Sequence, residues 1–74
     1  MSAYKVKNGG IILEYGFNPV TKVYGYTLTD LALKRVILKS NTQSGLTNIE
    51  LAEKMRTFNA PKEHILRVLT NKPI

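Results

Sequence analysis

The side chains able to do chemistry are few and scattered. His64 is the single histidine, and Glu14, Asp30, Glu50, Glu53 and Glu63 supply every side-chain carboxylate. Cysteine is absent, which removes thiolate nucleophiles, disulfides and zinc–thiolate sites. A nucleophile would have to be serine, threonine or lysine, and no local spacing pairs one with a base and an orienting carboxylate. Glu50 and Glu53 stand three apart, but that spacing alone does not make an acid–base pair. One histidine among dispersed carboxylates makes a poor metal site. Gly9-Gly10 precedes a strand pattern, and neither GxGxxG nor GxxxxGK[ST] occurs, so no phosphate loop is expected. These residues point to a binding protein with no catalytic residue, no metal and no cofactor, and not to an enzyme.

Charge says what such a protein would bind. Eleven Lys and Arg stand against five Asp and Glu, a net charge of +6, with an isoelectric point near 9.9. That balance favours nucleic acid or an acidic protein surface. No block of five like charges occurs, so an anion-binding face must be assembled by folding. The N-terminal residues lack the apolar run of a signal peptide, and no run of about 20 apolar residues could span a bilayer. The expectation is a cytoplasmic protein that does not bind membranes. At 74 residues it is read as one small domain, 1–74, with a small core. A homodimer would bury more apolar surface.

The positioning elements follow from periodicity. Residues 3–7, 11–17 and 23–27 alternate apolar with polar or small residues, as half-buried strands do. Asn8-Gly9-Gly10 and Asn18-Pro19 mark the turns between them. Gly16 and Gly25 suggest bulges or places of close packing. Thr29-Asp30 then reads as a helix N-cap, followed by LALKRVILKS without Gly or Pro, and a helix over 30–40 is expected at the structural centre. A polar loop, 40–45, leads to Thr47-Asn48-Ile49-Glu50, which has the spacing of a capping box, with Leu46 and Leu51 placed as a hydrophobic staple. A helix over 47–57 should bury Leu51, Ala52, Met55 and Phe58. Pro61 opens a last helix, 61–71, with Ile65, Leu66, Val68 and Leu69 inward and Glu63, His64, Arg67, Thr70 and Asn71 outward. The expected fold class is α+β: a three-stranded antiparallel β-meander within 1–28, followed by three α-helices within 29–74.

The segment LTNIELAEKM, with its capped first helix, Glu50-Leu51-Ala52 and Met55 one turn on, resembles the helix-turn-helix DNA-binding module over about residues 46–71. Ile65, Leu66 and Leu69 continue the likeness into a second helix. The resemblance implies that this second helix enters the major groove. Lys62, His64, Arg67 and Asn71 would then meet bases and phosphates, with Lys54 and Arg56 adding charge. Arg67 would suit guanine or phosphate. The function implied is a small basic nucleic-acid-binding regulator, of transcription, with DNA favoured over RNA. Two other readings stand beside it. Tyr15, Phe17, Tyr24 and Tyr26, near Lys5, Lys7 and Lys22, could stack unpaired bases, or they could be core. A sheet edge with Tyr4 and Val6 could take up a partner's strand. That alternative is a non-enzymatic protein-binding regulator or inhibitor acting on a larger assembly such as the transcription machinery, in a format that resembles small phage-encoded regulators.

Overall fold

The computed structural model describes residues 3–40 and 47–74. Four strands form one antiparallel sheet in sequence order: β1 (Ala3–Asn8), β2 (Ile11–Asn18), β3 (Val23–Asp30) and β4 (Arg35–Lys39). Two helices, α1 (Thr47–Thr57) and α2 (Lys62–Leu69), complete the described chain. The class is α+β, but the expected three strands followed by three helices are overturned, because residues 30–40 form no helix.

The reason is local and instructive. Asp30 Oδ1 accepts from the backbone N–H groups of Ala32 (2.9 Å) and Leu33 (3.1 Å). Those are the bonds a helix N-cap would make, and an Asx turn makes them equally well. Lys34 then takes a left-handed conformation (φ 54°), which reverses the chain. Beyond it, the β-branched Val36 and Ile37 favour a strand, and Arg35, Val36, Leu38 and Lys39 pair with β3. The β2–β3 turn is built the same way. Asn18 Oδ1 accepts from Val20 N–H (2.9 Å) and Thr21 N–H (3.4 Å), and Lys22 is left-handed (φ 59°). The sheet therefore runs on to Lys39, well past residue 28.

Register decides which residues are core. Tyr4, Tyr15 and Tyr26 lie in one cross-strand row, Val6, Leu13 and Leu28 in another, and Phe17 opposes Tyr24. Opposed residues share a face, so every sheet aromatic falls on the face that the helices cover. Leu13, Tyr15, Tyr24 and Tyr26 are buried there with Leu51, Met55, Ala60 and Val68. Gly16 and Gly25 oppose each other directly on the other face, without a bulge between them. The register instead slips between Leu28 and Thr29, leaving Ile37 as an extra residue in β4.

The helices sit close to their expected places. Leu51, Ala52 and Met55 are buried, and Phe58 packs against the core. Asn59 (φ 56°) and Asn71 (φ 54°) are left-handed and close the two helices. Ala60 N–H donates to Met55 O (2.9 Å) and Lys72 N–H to Arg67 O (2.8 Å), the six-to-one bond of a Schellman ending. Pro61 caps α2 from just outside it. Leu46, one half of the expected staple, lies outside the described residues, as does the loop 41–45.

Candidate interaction surfaces

The tyrosines are latches between the sheet and the helical part, and they do not form an outer stacking platform. Tyr15 and Tyr24 are fully buried and Tyr26 nearly so. The Tyr15 hydroxyl lies 2.7 Å from His64 Nδ1 on α2. Tyr26 donates to Glu50 Oε2 on α1 (3.3 Å), and Tyr24 donates to the Lys72 carbonyl beyond α2. Each phenol thus reaches a different part of the helical layer. Burial, above all, pushes all three above the ordinary tyrosine pKa. The Tyr4 and Tyr24 phenols add to this at Tyr15, and the Glu50 carboxylate adds to it at Tyr26, while Arg67 opposes it at Tyr24.

The six residues expected to read nucleic acid are dispersed. His64 turns inward, half-buried, with its ring 4.5 Å from the Tyr4 ring in an edge contact. The Asn71 side chain is engaged at both ends: its oxygen accepts from Asn48 Nδ2 (2.9 Å), and its nitrogen donates to Lys22 O (2.9 Å). It clips α1, the end of α2 and the β2–β3 turn together. Lys54 is half-buried, with Nζ 5.4 Å above the Tyr26 ring. Arg56, Lys62 and Arg67 are exposed. Arg56 and Lys62 come together beside a groove of about 380 Å³ lined also by Asn59, Ala60 and Ile65. Arg67 stands further along α2. Ile65 and Val68 face inward as expected, but Leu66 (61% exposed) and Leu69 (44%) point to solvent.

The face of the sheet away from the helices is organised in rows. Lys5, Glu14, Thr27 and Lys39 cross all four strands in register, and Lys5 Nζ lies 3.7 Å from Glu14 Oε2. Ala3, Gly16 and Gly25 form the adjoining row, which is almost free of side chains. The two rows border a groove of about 300 Å³.

The most apolar exposed region is the β3–β4 arm. Leu31, Leu33, Val36, Ile37 and Leu38 are each between 38% and 56% exposed. Lys34, Arg35 and Lys39 are interspersed with them, and the arm's one carboxylate, Asp30, is already holding the turn. The sheet segment 3–40 carries six basic and two acidic residues, a net +4 of the chain's +6. The excess charge is therefore concentrated on the sheet, not on the helix pair. A sequence signal for the arm was present: DLALK at 30–34 repeats the spacing of NPVTK at 18–22, an Asx residue followed four later by lysine.

Among the described residues no three His, Asp or Glu side chains gather as a metal site requires, and no helix is long and apolar enough to cross a membrane. No family model, no curated protein and no solved structure matches this chain.

Proposed function

We propose that this chain is a non-enzymatic protein-binding regulator that docks on a larger assembly through its β3–β4 arm. One observation carries the reading: five apolar side chains within Leu31–Leu38 stand exposed along one hairpin, on both faces of β4, with Lys34, Arg35 and Lys39 among them. Clustered apolar exposure with a polar rim is the mark of a protein interface. Nucleic-acid interfaces are more polar and draw on charge, and they have no need of this strip. The test is quantitative partner recovery with the wild type, with Leu33→Ser plus Ile37→Ser, and with Lys62→Ala plus Arg67→Ala. The same partner should be retained by the helix variant and lost by the arm variant, with both variants still folded. Equal recovery by the arm variant would defeat the proposal.

A second reading keeps the function expected from sequence, a nucleic-acid-binding regulator with DNA favoured. The convergence of Arg56 and Lys62 on one groove supports it, with Arg67 further along the same helix. Fluorescence anisotropy with duplex and single-stranded DNA between 50 and 200 mM salt tests it. The reading requires binding that falls steeply with salt and weakens in Lys62→Ala plus Arg67→Ala. Absence of binding at low salt removes it.

A further inference from the structure

Resting on the protein-docking reading, we infer that the free edge of β4 takes up an extended acidic segment of the partner as a fifth strand. β4 is an end strand, and among the described residues nothing pairs with its outer edge. All five of its residues are exposed. They are exposed on both sides of the sheet: Leu38 opposes Leu28 on the helix-bearing face, and Val36 opposes Thr29 on the other. A partner lying on one face would leave the other side wet. A partner lying alongside the edge, in the plane of the sheet, covers both. Ser40 N–H donates inward to Tyr26 O (2.9 Å). The antiparallel alternation then turns the backbone groups of the neighbouring Lys39 outward, towards an incoming strand.

Charge selects the occupant. A second copy is the obvious alternative, since end strands readily pair with themselves. Self-pairing, however, joins two arms that each carry Lys34, Arg35 and Lys39 against Asp30 alone, a net +2 apiece. Bringing like net charges together is unfavourable. A segment whose carboxylates meet the arm's cations, and whose apolar side chains meet Val36 and Leu38, meets no such repulsion. Arg35 and Leu38 share the helix-bearing face and Val36 and Lys39 the other, so the partner chemistry is a strand with acidic and apolar residues on both of its faces.

The experiment uses the full chain, isotopically labelled, and three synthetic peptides: a Glu-Glu-Val-Val repeat, which places both residue types on each face of a strand, a Lys-Lys-Val-Val repeat, and the Glu–Val peptide N-methylated at every second residue. The Glu–Val peptide should shift the amide resonances of Val36–Lys39, slow their hydrogen exchange, and bind more weakly as salt rises. The Lys–Val and N-methylated peptides should bind about ten-fold more weakly or worse, from lost charge complementarity and lost backbone bonds. Arg35→Glu plus Lys39→Glu should reverse the preference between the two charged peptides. No binding of the Glu–Val peptide, equal binding of the N-methylated one, or perturbations confined to α2 would each overturn strand addition. These failures are distinct from failure of the docking reading. If Leu33→Ser plus Ile37→Ser loses the partner but the Glu–Val peptide does not bind, docking at the arm stands and strand addition falls.

Discussion

The Tyr15 hydroxyl and His64 Nδ1 lie 2.7 Å apart across 49 residues of sequence. The phenol donates when the imidazole carries its proton on Nε2, and accepts when Nδ1 is protonated. Tyr4 closes the arrangement: its ring stacks on Tyr15, centroids 5.9 Å apart, and meets His64 edge-on. A residue at a position that suits a surface reader is thereby part of the joint between sheet and α2. Tyr15→Phe should cost about 1 kcal/mol of stability, the usual net worth of such a bond. His64→Ala should cost more, because ring packing is lost as well. Urea unfolding of the two single variants and the double variant should show non-additive losses. Strictly additive losses would mean that the two side chains do not interact in solution.

Alkaline pH should loosen the fold. Burial raises Tyr15, Tyr24 and Tyr26 above the ordinary tyrosine pKa. The folded state therefore holds these protons more tightly than the unfolded chain does. The stability this contributes is fully present below the unfolded pKa of about 10 and is lost as pH rises through the higher folded values. Absorbance titration near 295 nm should show phenols ionising late and together with unfolding. Three phenols titrating at about 10 in a folded protein would contradict the burial.

Asn71 tests the clip between three segments. Asn71→Gly keeps the left-handed backbone (φ 54°) but removes the contacts to Asn48 and Lys22. Asn71→Ala loses the contacts and strains the backbone as well. The glycine variant should lose about 1 kcal/mol, and the alanine variant about 1 kcal/mol more. Thermal melts should rank wild type above Asn71→Gly above Asn71→Ala. Equal melts would reduce Asn71 to a surface residue.

The turn at the head of the arm gives an opposite pair. Asp30→Ala removes the acceptor for Ala32 and Leu33 N–H and should destabilise by about 1 kcal/mol. Lys34→Gly relieves a left-handed residue (φ 54°) and should stabilise by about 0.5 kcal/mol. If Lys34→Gly destabilised by as much as Asp30→Ala, the left-handed turn would be wrong.

Core and arm should respond differently to truncation. Leu51→Ala, at a fully buried position, should cost about 2–5 kcal/mol. Leu33→Ala, 56% exposed, should change stability by less than about 0.5 kcal/mol. A large loss from Leu33→Ala would show that the arm packs against something in the isolated protein.

The parts legible in the sequence were those in which one short stretch suffices. Asn8-Gly9-Gly10 turns the chain at the expected place, with Gly9 at φ 62°. Thr47–Thr57 forms a helix with Leu51, Ala52 and Met55 buried, because its apolar spacing is complete within that stretch. The alternation in 11–17 and 23–27 was also correct: Leu13, Tyr15 and Phe17 share one face with Tyr24 and Tyr26. The candidate site was much less legible. Leu66 and Leu69 have the spacing of core residues but stand exposed, since α2 reaches the core through Ile65 and Val68. His64 is polar, and its place beside Tyr15 requires a partner 49 residues away.

By itself, then, the sequence determined short-range features: the turn at Asn8-Gly9-Gly10, the apolar spacing of the helix over 47–57, strand alternation and a basic charge balance. Tertiary structure decided the rest. An Asp at position 30 binds the same two N–H groups in a helix cap and in a turn, so local bonding cannot choose between them. The choice falls to pairing with β3, which gives Val36 and Leu38 ladder partners that a lone helix could not offer. That same pairing carries the apolar run to the edge of the sheet, where it stands exposed. The most apolar stretch of the chain thus belongs to its surface, and the tyrosines that looked available for binding belong to its core.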